Sequence, residues 1–273
     1  MSVVVAYKWA ANPAEASARA DGRVDFSRAR PTVSEDDPVA IELGRELGDA
    51  GGVPVVGITA GTPAVATPMA TKAALARGLD RIVLATDADA ASWHATQTAQ
   101  VLAALVGRVG DATLVLTGSA SIDENAGVVP ALIAGFLGWP CLLGVLDAEA
   151  TASGWAFTLA GRRVEIDGPA VASVASSARA VVAPGMRDVL AAGRRPVESV
   201  DAGALGLRGA ASASAEGADV PVVADVADVA DLRVVGRRRP EARARKRVVF
   251  SGDTAPGELV DALRAEGVRG AGR

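Results

Sequence analysis

The sequence predicts an α/β fold: a doubly wound, mostly parallel Rossmann-like sheet with helices on both faces. Short apolar runs rich in β-branched residues alternate with helical patterns through the first half of the chain. The intervening helices are long enough to form right-handed crossovers between parallel strands. Half of the 273 residues are hydrophobic, enough to cover such a sheet on both faces.

Five strands are predicted in this first half, at residues 2–7, 53–59, 81–85, 113–117 and 141–146. The connecting segments carry helix start and stop signals. We expect helices from Asp37-Pro38, with Asp37 as N-cap, to Gly51-Gly52; from the turn 60–63 to Gly78; from Ser92 to about Val106; and over 127–137.

The pattern changes after residue 150. Residues 155–159 and 163–166 flank a short turn and predict a small β-hairpin, and residues 170–175 predict another buried strand. Residues 201–232 are rich in Ala, Gly and Asp, which is typical of a linker or an extended arm. We therefore expect an α/β domain over 1–195 and an extended C-terminal arm over 196–273. The arm is expected to contain a short helix at 254–266 and to bind a partner.

The rare residue types exclude several kinds of site. A single histidine, His94, and a single cysteine, Cys141, cannot form a multi-His or Cys-rich metal centre or an internal disulfide. Nine aromatic residues offer little for stacking nucleic-acid bases, and the net charge of −4 gives no attraction to nucleic acid or anionic membranes. The basic run Arg237–Arg247 has no interleaved aromatic residue, so we expect it to be solvated or to face a partner protein.

The sequence also indicates where the protein works. The N-terminus has no basic segment followed by a cleavage site, so we expect no signal peptide and a cytoplasmic location. Residues 128–146 lack charge, but Gly138-Trp139-Pro140 interrupts them, which predicts a helix, a turn and a strand rather than a membrane span.

The strongest candidate for a functional site is the loop Gly118–Ala126, which follows a strand and leads into a helix. Ligands of open α/β sheets bind beyond the carboxyl ends of the strands, as would also apply to the loops after Lys8 and at 60–63. A phosphate could bind the free amides of the helix start. Asp123, Glu124 and Asn125 could contact ribose hydroxyls. An ordinary capped loop is the alternative interpretation.

Other motifs narrow this interpretation. The chain has neither a P-loop motif nor the G-x-G-x-x-G fingerprint after its first strand. No convincing catalytic constellation is present, because His94 lies at a predicted helix start and Cys141 in an apolar strand. We expect no catalytic residues and no metal ligands.

Residues 118–140, GSASIDENAGVVPALIAGFLGWP, closely resemble the signature of electron transfer flavoprotein β subunits. Weaker similarities follow in the same order along the chain: the first strand with Lys8, the helix start 37–42, the turn 60–61, and segments 73–81 and 258–268. The chain thus resembles a divergent, actinobacterial-type branch of that family.

This resemblance implies an electron carrier rather than an enzyme. It implies a heterodimer with an electron transfer flavoprotein α subunit, whose redox-active FAD site the β subunit completes. The complex would accept electrons from a dehydrogenase, docking near Met186–Arg195, and pass them to a quinone-linked oxidoreductase. A stand-alone nucleotide-binding regulatory module of the universal-stress-protein type is the alternative.

The family's β subunit buries AMP, or a second FAD, in its own cleft. The resemblance assigns the phosphate to the amides of residues 127–129. Carried over by position, the cofactor-binding residues are Ala6, Ser34, Glu35, Asp36, Asp37, Ala60, Gly118, Ser119, Ser121, Asp123, Glu124, Asn125, Ala126, Gly127, Val128 and Val129.

Two departures from the family pattern lie within this set. The usual Asn-Gln-Thr-Gly is replaced by Gly127-Val128-Val129-Pro130, which keeps backbone amides but loses the threonine hydroxyl. The usual Asn-Pro-Phe is replaced by Ser34-Glu35-Asp36, which removes an aromatic ring.

Overall fold

The computed structural model describes residues 1–205 and 248–267. In chain order the elements are β1 (Ser2–Ala6), β2 (Trp9–Ala11), β3 (Ser17–Ala18), β4 (Val24–Asp25), β5 (Pro31–Val33), α1 (Asp37–Gly51), β6 (Val55–Gly61), α2 (Pro68–Leu75), β7 (Arg81–Thr86), α3 (Ala95–Val109), β8 (Ala112–Thr117), α4 (Val129–Leu137), β9 (Cys141–Val145), β10 (Asp147–Ala150), β11 (Gly154–Leu159), β12 (Arg162–Asp167), β13 (Ala170–Val174), α5 (Met186–Ala192), β14 (Val197–Asp201) and α6 (Ala255–Ala265).

The central sheet has seven strands within the described residues, in the order β14-β7-β6-β1-β8-β13-β9, and every neighbouring pair is parallel. The predicted doubly wound α/β fold is thereby confirmed. β1 lies at its centre, with Val3 beside Val55 of β6 on one side and Leu114 of β8 on the other. The chain adds β6 and β7 on one side of β1 and then β8 on the other, so the strand order reverses at β1.

Two apolar cores cover the two faces of the sheet. Val3 and Val5 of β1 pack with Ile41 of α1, whereas Val4 and Ala6 pack with residues of α3 and α4. This division follows from the alternation of side chains along a strand. Both faces are apolar, so the strand reads as a continuous hydrophobic run, as parallel strands with helices on both sides do.

The predicted hairpin forms and is part of a larger sheet. β11 and β12 pair antiparallel, as expected, and β10 adds a third strand beside β11. No sequence pattern indicated β10, because Asp147 and Glu149 make it polar and it becomes a strand only by pairing with β11.

Several predicted boundaries shift. Asp37 was expected to cap α1, but Asp36 is the N-cap and Asp37 is the first helical residue. The helix after the turn 60–63 is shorter than predicted, because a 3₁₀ turn at Pro63–Ala66 precedes α2. The prediction of a helix start at Ser92 is wrong, since Ala90–Ser92 form a 3₁₀ turn and α3 begins after His94.

The sheet continues beyond residue 195, where the sequence placed the start of the arm. β14 pairs with β7 at the sheet edge, with Val197 beside Ile82. Residues 206–232 of the predicted linker and the basic run Arg237–Arg247 lie outside the described residues. α6 forms as predicted within the described part of the C-terminus.

The uncharged stretch 128–146 forms α4 and β9 joined by a turn, as the interrupting Gly-Trp-Pro sequence predicted. Among the described residues, no helix has both the length and the apolar character needed to cross a bilayer.

Candidate functional site

A cleft of about 330 Å³ opens where the central strands end. Lys8 follows β1, Thr62 follows β6 and Gly118 follows β8, and all three residues line it. β1, β6 and β8 are the three strands at which the strand order reverses, which is where open α/β sheets bind ligands. The cleft volume lies in the range typical of small-molecule pockets.

Most residues of the predicted cofactor set line this cleft. They are Ala6, Asp37, Ala60, Gly118, Ser119, Ser121, Asp123, Glu124, Ala126, Gly127 and Val129. Five predicted residues lie outside the lining: Ser34, Glu35, Asp36, Asn125 and Val128.

Two of those five, Ser34 and Asp36, hold the loop 118–128 in place. The amide of Ile122 donates to the buried hydroxyl of Ser34, at 3.0 Å from nitrogen to Oγ. The hydroxyl of Ser119 donates to the carboxylate of Asp36. The segment before α1 therefore fixes the cleft wall through hydrogen bonds rather than by lining the cleft itself.

Gly118 lies where the loop passes closest to α1. A Cβ atom at Gly118 would be 2.6 Å from Oδ1 of Asp37 and 2.8 Å from the backbone carbon of Asp36. Real Cβ atoms do not approach other atoms so closely, so a side chain here would push the loop away from α1. The glycine thus allows β8 to end directly against the start of α1.

Asp37 is a buried carboxyl group in the wall of the cleft. Its Oδ2 accepts from the amide of Lys8 at 2.7 Å. Burial raises the pKa of Asp37 to about 7, even though hydrogen bonds from the amides of Lys8 and Gly118 lower it. The Asp37 carboxyl therefore changes its ionisation near neutral pH.

The loop reaches α4 through two residues with positive φ. Asn125 has φ +51° and Gly127 has φ +65°, and the amide of Asn125 donates to the carbonyl of Ser121 at 2.8 Å. The N-cap of α4, Val128, makes no side-chain capping bond. Because the first amides of a helix have no intrahelical acceptor, this helix start suits an anion in the cleft.

The acidic part of the loop is paired with a lysine. Nζ of Lys8 lies 2.8 Å from Oδ1 of Asp123 and 3.3 Å from Oε1 of Glu124. Partial burial opposes ionisation of Asp123, but the hydrogen bond from Lys8 holds the pKa of that carboxyl below its usual range. Lys8 is the only basic side chain that lines the cleft among the described residues.

Sequence reasoning missed several other residues of the lining, including Trp9, Trp93 and Leu102. Trp93 follows β7 and Trp9 follows β1, so their positions after strands were a usable signal. No sequence signal indicated Leu102, which reaches the cleft from α3. His94 and Cys141 do not line it.

The comparison with known families agrees with this geometry. The model of the electron transfer flavoprotein domain matches residues 24–205, about two thirds of the chain. The match runs from β4 to the residues after β14 and so includes the loop 118–128, α4 and six of the seven strands of the central sheet. The chain therefore belongs to the electron transfer flavoprotein domain family.

Proposed function

We propose that this chain is the β subunit of a heterodimeric electron transfer flavoprotein that works in the cytoplasm. Proteins of this family carry electrons rather than catalyse reactions, and they are associated with flavin. In this role the chain pairs with an α subunit, completes the site of that subunit's FAD and binds AMP or a second FAD in its own cleft. Electrons pass from a dehydrogenase toward a quinone-linked oxidoreductase.

The observation that carries the proposal is the start of α4, which opens into the cleft without a side-chain cap. The amides of Gly127, Val128 and Val129 would hold the phosphate. The polar side chains of Ser121, Asp123 and Glu124 line the same cleft and would contact the ribose hydroxyls. The FAD held with the α subunit supplies the redox chemistry, while the nucleotide in this cleft is structural.

A second surface fits the expected dehydrogenase. α5 exposes three apolar side chains, Met186 (75%), Val189 (44%) and Leu190 (67%). Arg195 is not part of that surface, because Nη1 donates to the carbonyls of Leu75 and Leu79 at 2.7 and 2.6 Å. We propose that the dehydrogenase docks on α5 and that Arg195 fixes the adjoining chain to the end of α2.

The test is to co-express the chain with an α-type partner and purify the complex by size exclusion. We expect a flavin absorbance spectrum and, after denaturation, one adenine nucleotide per β chain in addition to the FAD of the α subunit. Chromatography of the released nucleotide distinguishes AMP from a second FAD. A complex with no adenine nucleotide beyond the α-subunit FAD would contradict the assigned site. A self-associating chain that binds ATP without flavin would contradict the whole proposal.

A further inference from the structure

The cleft has acidic side chains that would repel the phosphate assigned to it. Its charged lining side chains are Lys8, Asp37, Asp123 and Glu124 among the described residues. Asp123 and Glu124 lie in the loop that leads directly into the start of α4. Two uncompensated carboxylates there would oppose the attraction between a phosphate and the amides of the helix.

Lys8 lies close enough to both carboxylates to reduce this repulsion. It follows β1, and its ammonium group pairs with both carboxylates of the loop, at 2.8 Å from Asp123 and 3.3 Å from Glu124. The Asp123 side chain is 21% exposed and that of Lys8 is 38% exposed, so water screens this pair less than a fully exposed one. The Glu124 side chain is 66% exposed and contributes less.

The backbone of Lys8 holds the start of the loop. The amide of Lys8 donates to Asp37, and Gly118 at the start of the loop packs directly against Asp37. Lys8 thus joins the beginning of the loop through its backbone and the middle of the loop through its side chain. The backbone contact does not depend on the Lys8 side chain, so Lys8→Met leaves the beginning of the loop in place.

We infer that Lys8 is a positioning residue that sets the preference of this cleft for a phosphorylated nucleoside, by pairing with Asp123 and Glu124 and so reducing the negative charge beside the start of α4. It acts through the two carboxylates rather than by contacting the phosphate. This inference rests on the proposed nucleotide site and adds to it the residue that determines selectivity between a nucleotide and its uncharged nucleoside.

The experiment measures AMP and adenosine binding by calorimetry to the full-length chain in its complex with the α-type partner, after removal of bound nucleotide. Because the charge affects only the phosphorylated ligand, Lys8→Met lowers AMP affinity about tenfold and changes adenosine affinity less than about twofold. Lys8→Arg keeps the positive charge and retains AMP binding. Lys72→Met, a substitution of an exposed lysine on α2 outside the cleft, serves as the matched control and leaves both affinities unchanged.

A combined variant distinguishes an effect of the Lys8 charge on the phosphate from an effect of the Lys8 side chain on the shape of the loop. Adding Asp123→Asn and Glu124→Gln to Lys8→Met removes the repelling charges and keeps polar groups for the ribose, so AMP affinity returns toward the wild-type value. The inference is overturned by unchanged AMP affinity in Lys8→Met, by equal losses for AMP and adenosine, or by failure of the combined variant to restore binding. Failure of the wild-type complex to bind AMP or retain any adenine nucleotide would instead overturn the proposed function.

Discussion

Helices α1 and α6 have similar sequence patterns and different surroundings. α1 buries Ile41 and Leu43 against the sheet and brings Asp37 into the wall of the cleft. α6 also carries an apolar stripe, but Leu259, Val260 and Leu263 remain 46%, 44% and 43% exposed, and no residue of the helix is buried. Amphipathic spacing therefore predicts a helix, but it does not show which surface covers the apolar side of that helix. For α6 we propose that the α partner supplies that surface.

The largest expected difference between the two helices is in stability. Ile41→Ala removes a side chain with no exposed surface and leaves a cavity beside β1, so it lowers the free energy of unfolding by about 2–5 kcal/mol. Denaturant titration of the purified chain measures this loss. A cost below about 1 kcal/mol would show that α1 contributes less to the core than its burial implies.

The next expected effect concerns Asp37 of α1 and the way the free energy of unfolding depends on pH. The pKa of Asp37 in the folded chain, about 7, lies above the ordinary value of 3.8 for an unfolded aspartate. Between these values the native state holds a proton that the unfolded state has lost. The contribution of Asp37 therefore decreases as pH rises through this window, by on the order of 4 kcal/mol in total.

Asp37→Asn removes this contribution. The free energy of unfolding of the variant, relative to that of the wild type, is therefore higher at pH 8 than at pH 4.5. Denaturant titrations at both pH values measure that difference. Asp261→Asn, which alters an exposed carboxylate on α6, is the control and leaves the pH profile of the wild type unchanged. Parallel profiles for wild type and Asp37→Asn would contradict the prediction.

A smaller effect is expected where β8 meets α1. Gly118→Ala forces a Cβ atom against Asp37 and Asp36, so it destabilises the chain by about 1–3 kcal/mol and weakens binding of the proposed nucleotide. Gly107→Ala is the matched control, because a Cβ at that position in α3 meets no atom within 4 Å. We expect it to stabilise the chain by about 0.5–1 kcal/mol, since glycine is unfavourable inside a helix. Similar results for both variants would contradict the close approach at Gly118.

The smallest effect on the isolated chain is expected in α6. Leu263→Ala changes a side chain that is 43% exposed, so the free energy of unfolding stays within about 0.5 kcal/mol of the wild type. If the partner covers this helix, the same variant weakens the heterodimer, which titration of the α-type partner measures. A large loss of stability in the isolated chain would mean that α6 packs against this chain itself.

The strands of the central sheet were predictable where both faces are buried. β1, β6, β7, β8 and β13 are apolar runs, and their side chains pack in both cores. β10 and β14 were not predictable, because they are partly polar and become strands through pairing with β11 and β7. α5 was missed because it has only seven residues, too few for the spacing of its apolar residues to stand out as a helical pattern.

The candidate site shows the same division. The loop 118–128 was identifiable because it follows a buried strand and precedes a helix. The roles of Ser34 and Asp36 were not, since their side chains bind Ile122 and Ser119 almost ninety positions away. Sequence spacing carries no information about such contacts between distant segments.

The order of residue types along the chain was enough to predict the fold class and the position of the cleft. The order of apolar strands and helices dictates a doubly wound sheet, and such a sheet opens where its strand order reverses. The folded chain was needed to show which side chains line the cleft, which hold its loop, that Lys8 pairs with Asp123 and that Asp37 is buried. The reason is physical: periodicity along the chain reports which face of an element is covered, whereas charge pairing and burial depend on segments that meet only after folding.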